Sequence, residues 1–471
     1  MSDKQSTLMV LGLAALLTGC AVRSSDSRIG SAAEGAPERW IASKAARAGI
    51  DRDWIKRFGD AQLVALVEES MKNHPDLWVA AERVRRAEAI ARLSGAARRV
   101  QVSGQVNGLL QKQRFPGFPL SLGSNTAEVY GASLDVSWEL DLWGRLRASR
   151  RAAEGDQQAQ VQDYRAARAS MAAQLAKAWF ALGEANEQIG LAQAAILVRD
   201  KTVLSIRERF AVALEGGLAS QLRLAETDLA SSRASLARWQ AERERALRQV
   251  ELLAGRYPEG RLLSQKGLPG IPAPPPVGLP SELLLRRPDI LAAERRYAAA
   301  GNRHKAARLA RYPSFSLTGR TGTSTNSLNE VLDSRFGVWS LAGGVMQPLI
   351  AGGRLREEER IAGHDEEIAL RELQRSVLRG FGEVEQALVA EDYFARREQA
   401  VAESARSAKE AAEAAILDFA DGAVDALTLL SAQDRQVQTA FQLVALRRMR
   451  LDNRVDLHLA LGGDFKLRTL E

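Results

Sequence analysis

Few residues in this chain could do chemistry, and their spacing removes most of them. Among 471 residues there are one cysteine, Cys20, and four histidines, His74, His304, His364 and His458. A single thiol can close neither an intrachain disulfide nor a zinc site, and no two histidines stand at ligand spacing, so no metal is expected. No Ser/His/Asp or Cys/His set gathers along the chain. No catalytic residue and no cofactor is therefore expected, and the chain does not read as an enzyme. Asp76 and Asp289 each follow a proline at a helix start. There a carboxylate satisfies free amides and the positive end of the helix dipole, so capping outweighs acid–base work. What remains is covalent modification of Cys20.

That cysteine closes an export signal. Residues 8–17 are ten consecutive apolar residues, too few for the roughly 20 that a membrane-spanning helix needs and of the right size for a signal-peptide core. Leu17-Thr18-Gly19-Cys20 then resembles a bacterial lipobox, which implies that residues 1–19 are removed and that Cys20 is acylated as the mature N-terminus. Ala21 at the next position implies sorting to the outer membrane. Residues 20–53 would form the lipidated N-terminal segment. Lys4 is offset by Asp3, so the charge ahead of the apolar run is weak. Over the whole chain 65 basic and 58 acidic residues give a net charge of +7. They alternate without a block of five or six like charges, which argues against a nucleic-acid partner.

The elements that position everything else are written twice. Pro75-Asp76-Leu77 with Ala80-Ala81-Glu82-Arg83 returns as Pro288-Asp289-Ile290 with Ala292-Ala293-Glu294-Arg295, an offset of 212 to 213. Gly144-Arg145-Leu146-Arg147 returns as Gly353-Arg354-Leu355-Arg356, offset 209, and Gly217, Leu222 and Leu224 match Gly422, Leu427 and Leu429, offset 205. Two homologous halves follow, 54–257 and 281–463, with a tail at 464–471. Between them, residues 258–280 hold seven of the fourteen prolines and read as an extended linker.

Residues 120–257 and 349–471 contain no proline, so helix can run unbroken there. Positions 175, 178, 182, 185, 189, 192, 196, 199, 203, 206 and 210 keep a 3,4 spacing and are apolar except Arg199. A second seam from Leu222 to Leu253 has Ser232 and Arg243 as its polar entries, and shifted by 205 it runs from Leu427 to His458 through Asp434 and Arg448. These are heptad seams of long antiparallel helices. A helix from about Leu146 to Ala213 would be on the order of 100 Å long.

Each half also carries two strands, at about 100–110 and 128–140 and at about 314–322 and 336–347. Tyr130, Ala132, Leu134, Val136, Trp138 and Leu140 alternate with Ser133, Asp135, Ser137 and Glu139. Val102 and Val106 alternate with Gln101, Ser103, Gln105 and Asn107, and Phe315 and Leu317 with Ser316, Thr318 and Arg320. The polar sets are expected to face a water-filled lumen and the apolar sets to face lipid. An amphipathic sheet on a soluble core fits the same alternation, and the export signal favours the barrel. Four strands cannot close a membrane barrel, since the smallest have about eight, so several copies must share one.

Ser137-Trp138-Glu139-Leu140-Asp141-Leu142-Trp143-Gly144-Arg145, Leu285-Arg286-Arg287-Pro288-Asp289-Ile290, Gln347-Pro348-Leu349 with Gly352-Gly353-Arg354, and the closing Leu459-Ala460-Leu461-Gly462-Gly463 resemble the signatures of the outer membrane factor family, in its NodT/OprM-type lipoprotein branch related to TolC. The resemblance implies a mainly α protein with a twelve-stranded transmembrane β-barrel shared by a homotrimer, and a helical tunnel in the periplasm of a Gram-negative cell. It also implies the role of passive exit duct for drugs, metals or other small molecules in a tripartite efflux system, with a periplasmic adaptor and an inner-membrane pump, often of the RND type, as partners. The tips expected to dock the adaptor are Gly216, Gly217, Leu218, Ala219 and Ser220 in the first half and Gly422, Ala423, Val424 and Asp425 in the second. Phe210 precedes Gly217 by seven residues and Phe419 precedes Gly422 by three, so the first tip is expected to be about one turn longer. Asp418 and Asp421, tripled around a threefold axis, are the gate candidates. The alternative is a lipid-anchored periplasmic coiled-coil adaptor or scaffold without a pore, which leaves the strands without a purpose.

Overall fold

A computed structural model describes residues 40–42, 54–113, 125–211, 219–262, 267–278 and 280–463. Cys20, the segment 1–19, the tip residues Gly216, Gly217 and Leu218, and the tail 464–471 lie outside these. A short 3-10 helix, Trp54–Phe58, leads into α1 (Ala61–Asn73) and α2 (Pro75–Ala96). A hairpin of β1 (Gln101–Gln113) and β2 (Asn125–Leu140) follows, then α3 (Arg145–Ala211) and α4 (Ala219–Leu253). The second half repeats the plan with α5 (Pro288–Leu309), β3 (Ser314–Thr325), β4 (Gly337–Met346), α6 (Arg354–Ala420) and α7 (Ala426–Ala460). Among the described residues no helix is long and apolar enough to cross a membrane.

The two 67-residue helices α3 and α6 are the long struts of the protomer. At 1.5 Å per residue each is about 100 Å long. On α3 the upper half packs against α2 and α5, and the lower half against α4 and α7. The heptad seam is the reason: Leu175, Leu182, Ala185, Ala192, Val203 and Ile206 are all buried. Two seam positions differ from the periodicity. Phe210 and Leu427, both beside the tips, are about half exposed, at 45% and 54%, and each lies in the outermost turn of its helix.

The largest apolar cluster lies at mid-height. It joins Trp54, Phe58, Leu63, Leu66 and Leu77 of the first elements to Trp179, Phe180 and Leu182 of α3, Val250 of α4 and Leu451 and Val455 of α7. Each such side chain contributes roughly 1.5–3 kcal/mol on burial. A second cluster, near the tips, joins Val203 and Ile206 to Leu229, Phe419, Leu429 and Leu430.

The linker is extended, yet it is packed onto the core. Glu251 accepts the backbone amides of Gly260 and Arg261, and Leu268 and Ile271 lie against the mid-height core. Val277 is buried under Trp40, whose indole NH donates to the Val277 and Gly278 carbonyls. Proline removes amide donors, and the amides of Gly260, Arg261, Leu262 and Leu268 find side-chain acceptors in Glu251 and Glu187 instead of a ladder.

The strands also run beyond the bounds read from alternation. The β1–β2 ladder continues through Gln111↔Ala127, Lys112↔Thr126 and Gln113↔Asn125, and β3 continues to Thr325. Near that end polar residues occupy both faces, so the period-2 signal fades while the backbone pairing persists.

Candidate functional site

The site is a surface and not a pocket. All four strands are antiparallel in the order β1-β2-β3-β4. The register puts Gln101, Ser103, Gln105 and Asn107 of β1 opposite Ser137, Asp135, Ser133 and Gly131 of β2. Ser137, Asp135 and Glu139 in turn oppose Thr318, Arg320 and Ser316 of β3. Directly paired residues share a face, so all eleven polar residues named from the sequence stand on one side of the sheet. The other side carries Val102, Val106, Leu134, Val136, Trp138, Leu317, Leu341 and Trp339. β4 alternates weakly because Val338 and Met346 fall on the polar face and glycine fills several positions. Its residues are nonetheless exposed on both faces, with Trp339 81% accessible, and β1 and β4 each have one hydrogen-bonded neighbour.

At its lower end the sheet is bolted to the helices by aromatic donors and a carboxylate. Trp138 donates to the Arg98 carbonyl at 3.0 Å and Trp143 to that of Pro313 at 2.8 Å, and the Trp143 ring also packs at a tilt against Tyr312 and Phe315. Asp141 accepts the amides of Leu146 and Arg147, satisfying the first turn of α3. Gly144 and Gly353, at φ 83° and 86°, occupy the left-handed region that the strand-to-helix turn requires. Arg145 and Arg354 follow them, the first paired to Glu139 at 2.6 Å and the second to Glu358 at 2.6 Å.

The second tip is a tight C-terminal cap. Gly422 has φ 75°, its amide donates to Phe419 O, and the amide of Ala423 donates to Asp418 O at 2.8 Å. These are the two bonds of a Schellman motif. Asp425 caps α7 through the Thr428 amide at 2.8 Å, and hydrogen bonding from Thr428 holds its carboxyl below the usual range. Asp418 is exposed on the last turn of α6 and Asp421 at its C-cap, and Ala219 and Ser220 are exposed at the start of α4. From α3, Arg209 reaches across to the Phe419 and Ala420 carbonyls and lies 4.2 Å from the Phe419 ring centroid. This fits a cation placed at a helix C-terminus.

Higher up, the polar exceptions of three seams meet. Arg199 of α3 donates to Ser232 Oγ of α4 at 2.8 Å, to the Asp228 carbonyl at 2.9 Å and to Asp434 of α7 at 3.1 Å. Beside it Gln433 donates to Thr202 at 2.9 Å. Burial pushes the Asp228 carboxyl up, with Arg199 opposing and Asp434 adding to the shift. In the sequence Arg199, Ser232 and Asp434 are separate interruptions of three seams, and their positions within the 3,4 registers are the signal that they converge.

The helix starts differ from the capping read for them. Asp76 lies in the first turn of α2, whose cap is His74, with Nδ1 accepting the Asp76 amide. Asp289 caps nothing: it takes both Nε and Nη2 of Arg287, which also donates to Glu383 and to the Ala460 carbonyl. Proline at the first helical position leaves each aspartate at the second, two residues past the cap, where it still complements the dipole. Among the described residues no group of His, Cys, Asp or Glu could hold a metal ion.

The outer membrane efflux protein family matches residues 66–256 and 279–463. The chain belongs to that family. It is 30% identical over 451 residues to the pyoverdine export outer membrane protein OpmQ of Pseudomonas putida, covering 91% of this chain and 92% of that one. It is 28% identical over 421 residues to the cation efflux system protein CusC of Escherichia coli, covering 88% of each. Its fold matches the outer-membrane channel OprN with a TM-score of 0.86 at 27% identity, over 95% of this chain and 99% of that one. These relatives are channels and efflux proteins rather than enzymes. As an outer membrane efflux protein the chain is the outer-membrane duct of a tripartite efflux system, extending into the periplasm of a Gram-negative cell. The pore-free scaffold reading is set aside.

Proposed function

We propose that three copies close a twelve-stranded barrel in the outer membrane, with the polar face of each sheet lining the bore. The observation that carries this reading is a four-stranded sheet with both faces accessible, both edges open and one face apolar. Open edges are not tolerated in lipid, so β1 of one copy must meet β4 of the next. Cargo moves passively along the water-filled tube, and the partner pump supplies the energy. Relatives named for cargo as unlike as pyoverdine and cations support a duct that leaves cargo choice to the pump.

In this reading Cys20 carries the acyl anchor. The tips around Gly216, Gly217, Leu218, Ala219 and Ser220 and around Gly422, Ala423, Val424 and Asp425 receive the adaptor. Asp418 and Asp421, repeated three times, form the carboxylate ring that narrows the periplasmic mouth. One experiment tests the whole: the detergent-purified protein is sized and reconstituted in planar bilayers. A trimer with single-channel conductance is expected, with higher conductance after Asp418→Ala and Asp421→Ala together. A monomer without conductance would overturn the duct, and unchanged conductance in the double variant would remove the gate.

A further inference from the structure

The polar face holds few charges, and each is cancelled. Among its described residues the ionised side chains are Asp135, Glu139 and Arg320. Asp135 on β2 and Arg320 on β3 are directly opposite one another, with Arg320 Nε donating to Asp135 Oδ1 at 2.5 Å. The second carboxylate oxygen of Asp135 accepts from Ser133 Oγ at 2.9 Å. Glu139 is paired to Arg145 at 2.6 Å. The same register carries the row outward to Ser103 on β1 and Ser340 on β4. One transverse line across the protomer thus reads serine, carboxylate, guanidinium, serine, with hydroxyls and amides above and below it.

Resting on the duct reading, we propose that Arg320 is the residue that keeps the barrel section of the bore free of net fixed charge and so sets the ionic selectivity of that section. By neutralising Asp135 it turns what would be a ring of three fixed negative charges into an electroneutral belt that passes cargo of either sign. Rings of like charge are the usual source of cation or anion preference in pores. At about 0.1 M salt a fixed charge is felt over roughly 10 Å, far enough to bias ions crossing a bore lined by it. With Arg320 in place each carboxylate has its counter-charge within hydrogen-bond reach and the outward field is that of a small dipole. Pairing across neighbouring strands also fixes both side chains against the wall, where they leave the tube open.

The test is the reversal potential of the reconstituted full-length protein under a potassium chloride gradient. Arg320→Gln should raise the potassium-to-chloride permeability ratio by about fivefold, because one unit charge at about 8 Å in water favours potassium and disfavours chloride by about twofold each. Asp135→Asn should lower it by a similar factor, and the double variant should return to the wild-type value. A complementary variant, Asp135→Asn with Arg320→Cys, assembles without a lone charge and acquires one afterwards from a cationic or an anionic thiosulfonate reagent. The cationic reagent should shift the ratio toward chloride and the anionic one toward potassium. Conducting channels whose reversal potential stays at the wild-type value in the single variants and after both reagents would overturn the assignment. Absence of any wild-type conductance would instead overturn the duct reading, and this inference with it.

Discussion

The counterpart helices α4 and α7 descend from the same pattern and solve different problems. Shifted by 205, Arg243, Leu247, Gln249 and Leu253 of the first half become Arg448, Asp452, Arg454 and His458 of the second. Leu247 and Leu253 bury apolar side chains. Arg454 is buried against Glu391 at 2.6 Å, His458 stacks on Trp54 at 5.4 Å, and Asp452 pairs with Arg448 at 3.0 Å. The difference follows from neighbours. α4 packs chiefly on α3, whereas α7 packs on both α6 and α3. A helix enclosed on two sides must meet the needs of its polar groups inside the protein, and α7 does so in part with arginine–carboxylate pairs, while Arg454 Nε and Nη1 and Asp452 Oδ1 are buried without a hydrogen-bond partner among the described residues.

The same asymmetry appears at the helix starts and along the seam. His74 caps α2 with one ring nitrogen, while Arg287 ties α5 to α6 and to the end of α7. Arg199 is matched, at offset 209, by the buried Ala408. It binds across to Asp434 in the other half. Repetition supplies two similar halves, and the departures from repetition are where the halves grip each other.

Four experiments sharpen or break that comparison. The largest effect is expected from Arg287→Ala, which strands two carboxylates and a helix-terminal carbonyl. It should cost about 3 kcal/mol, read as a lower thermal midpoint of the solubilised protein, whereas His74→Ala should cost well under half as much. If the two variants are equally destabilised, the halves are equivalent at this point after all.

Next comes a pH effect at Asp452, whose carboxyl burial pushes up to about 6 from 3.8, against the opposing pull of Arg448 and Lys177. Because the folded value is the higher one, the native state holds the extra proton between these limits. Asp452 therefore favours folding below the unfolded value and loses that contribution as pH rises toward 6. The loss amounts to about 3 kcal/mol. Asp452→Leu, which installs the first-half residue, should flatten this part of the stability profile, and an unchanged slope between pH 4 and pH 6 would assign it to another group.

A double-mutant cycle of Arg199→Ala with Asp434→Ala should return a coupling of about 1 kcal/mol, modest because Asp434 is half exposed. Additive effects would mean that the two halves are joined here by packing alone. The smallest change belongs to Asp425→Ala. Loss of the cap should speed hydrogen exchange at the Thr428 amide and leave the middle of α3 untouched, and protection that persists at Thr428 would show that the turn needs no carboxylate.

Much of the fold was legible from local chemistry. Proline-free runs and 3,4 spacing marked α3, α4, α6 and α7, and alternation in 129–140 marked the polar and apolar faces of β2, because side-chain period is a property of one element read alone. The strand ends were less legible, since Lys112 and Thr126 pair through backbone with no pattern in their side chains. The roles of Asp76 and Asp289 were misread for a similar reason: both follow proline, and only the partners differ. Arg287 lay within a recognised motif, yet its acceptors Glu383 and Ala460 are 96 and 173 residues away.

The amino-acid sequence alone determined the doubling, the long helices, the two faces of the sheet and the family, because each is carried by spacing or motif within a short stretch. Only the tertiary structure decided which exceptions meet. Arg199 with Ser232 and Asp434, Arg320 with Asp135, and Arg287 with Glu383 are pairings across distant segments. Such contacts depend on the relative height and rotation of whole helices and on strand register. Those follow from the sum of many packing contacts and are encoded at no single position.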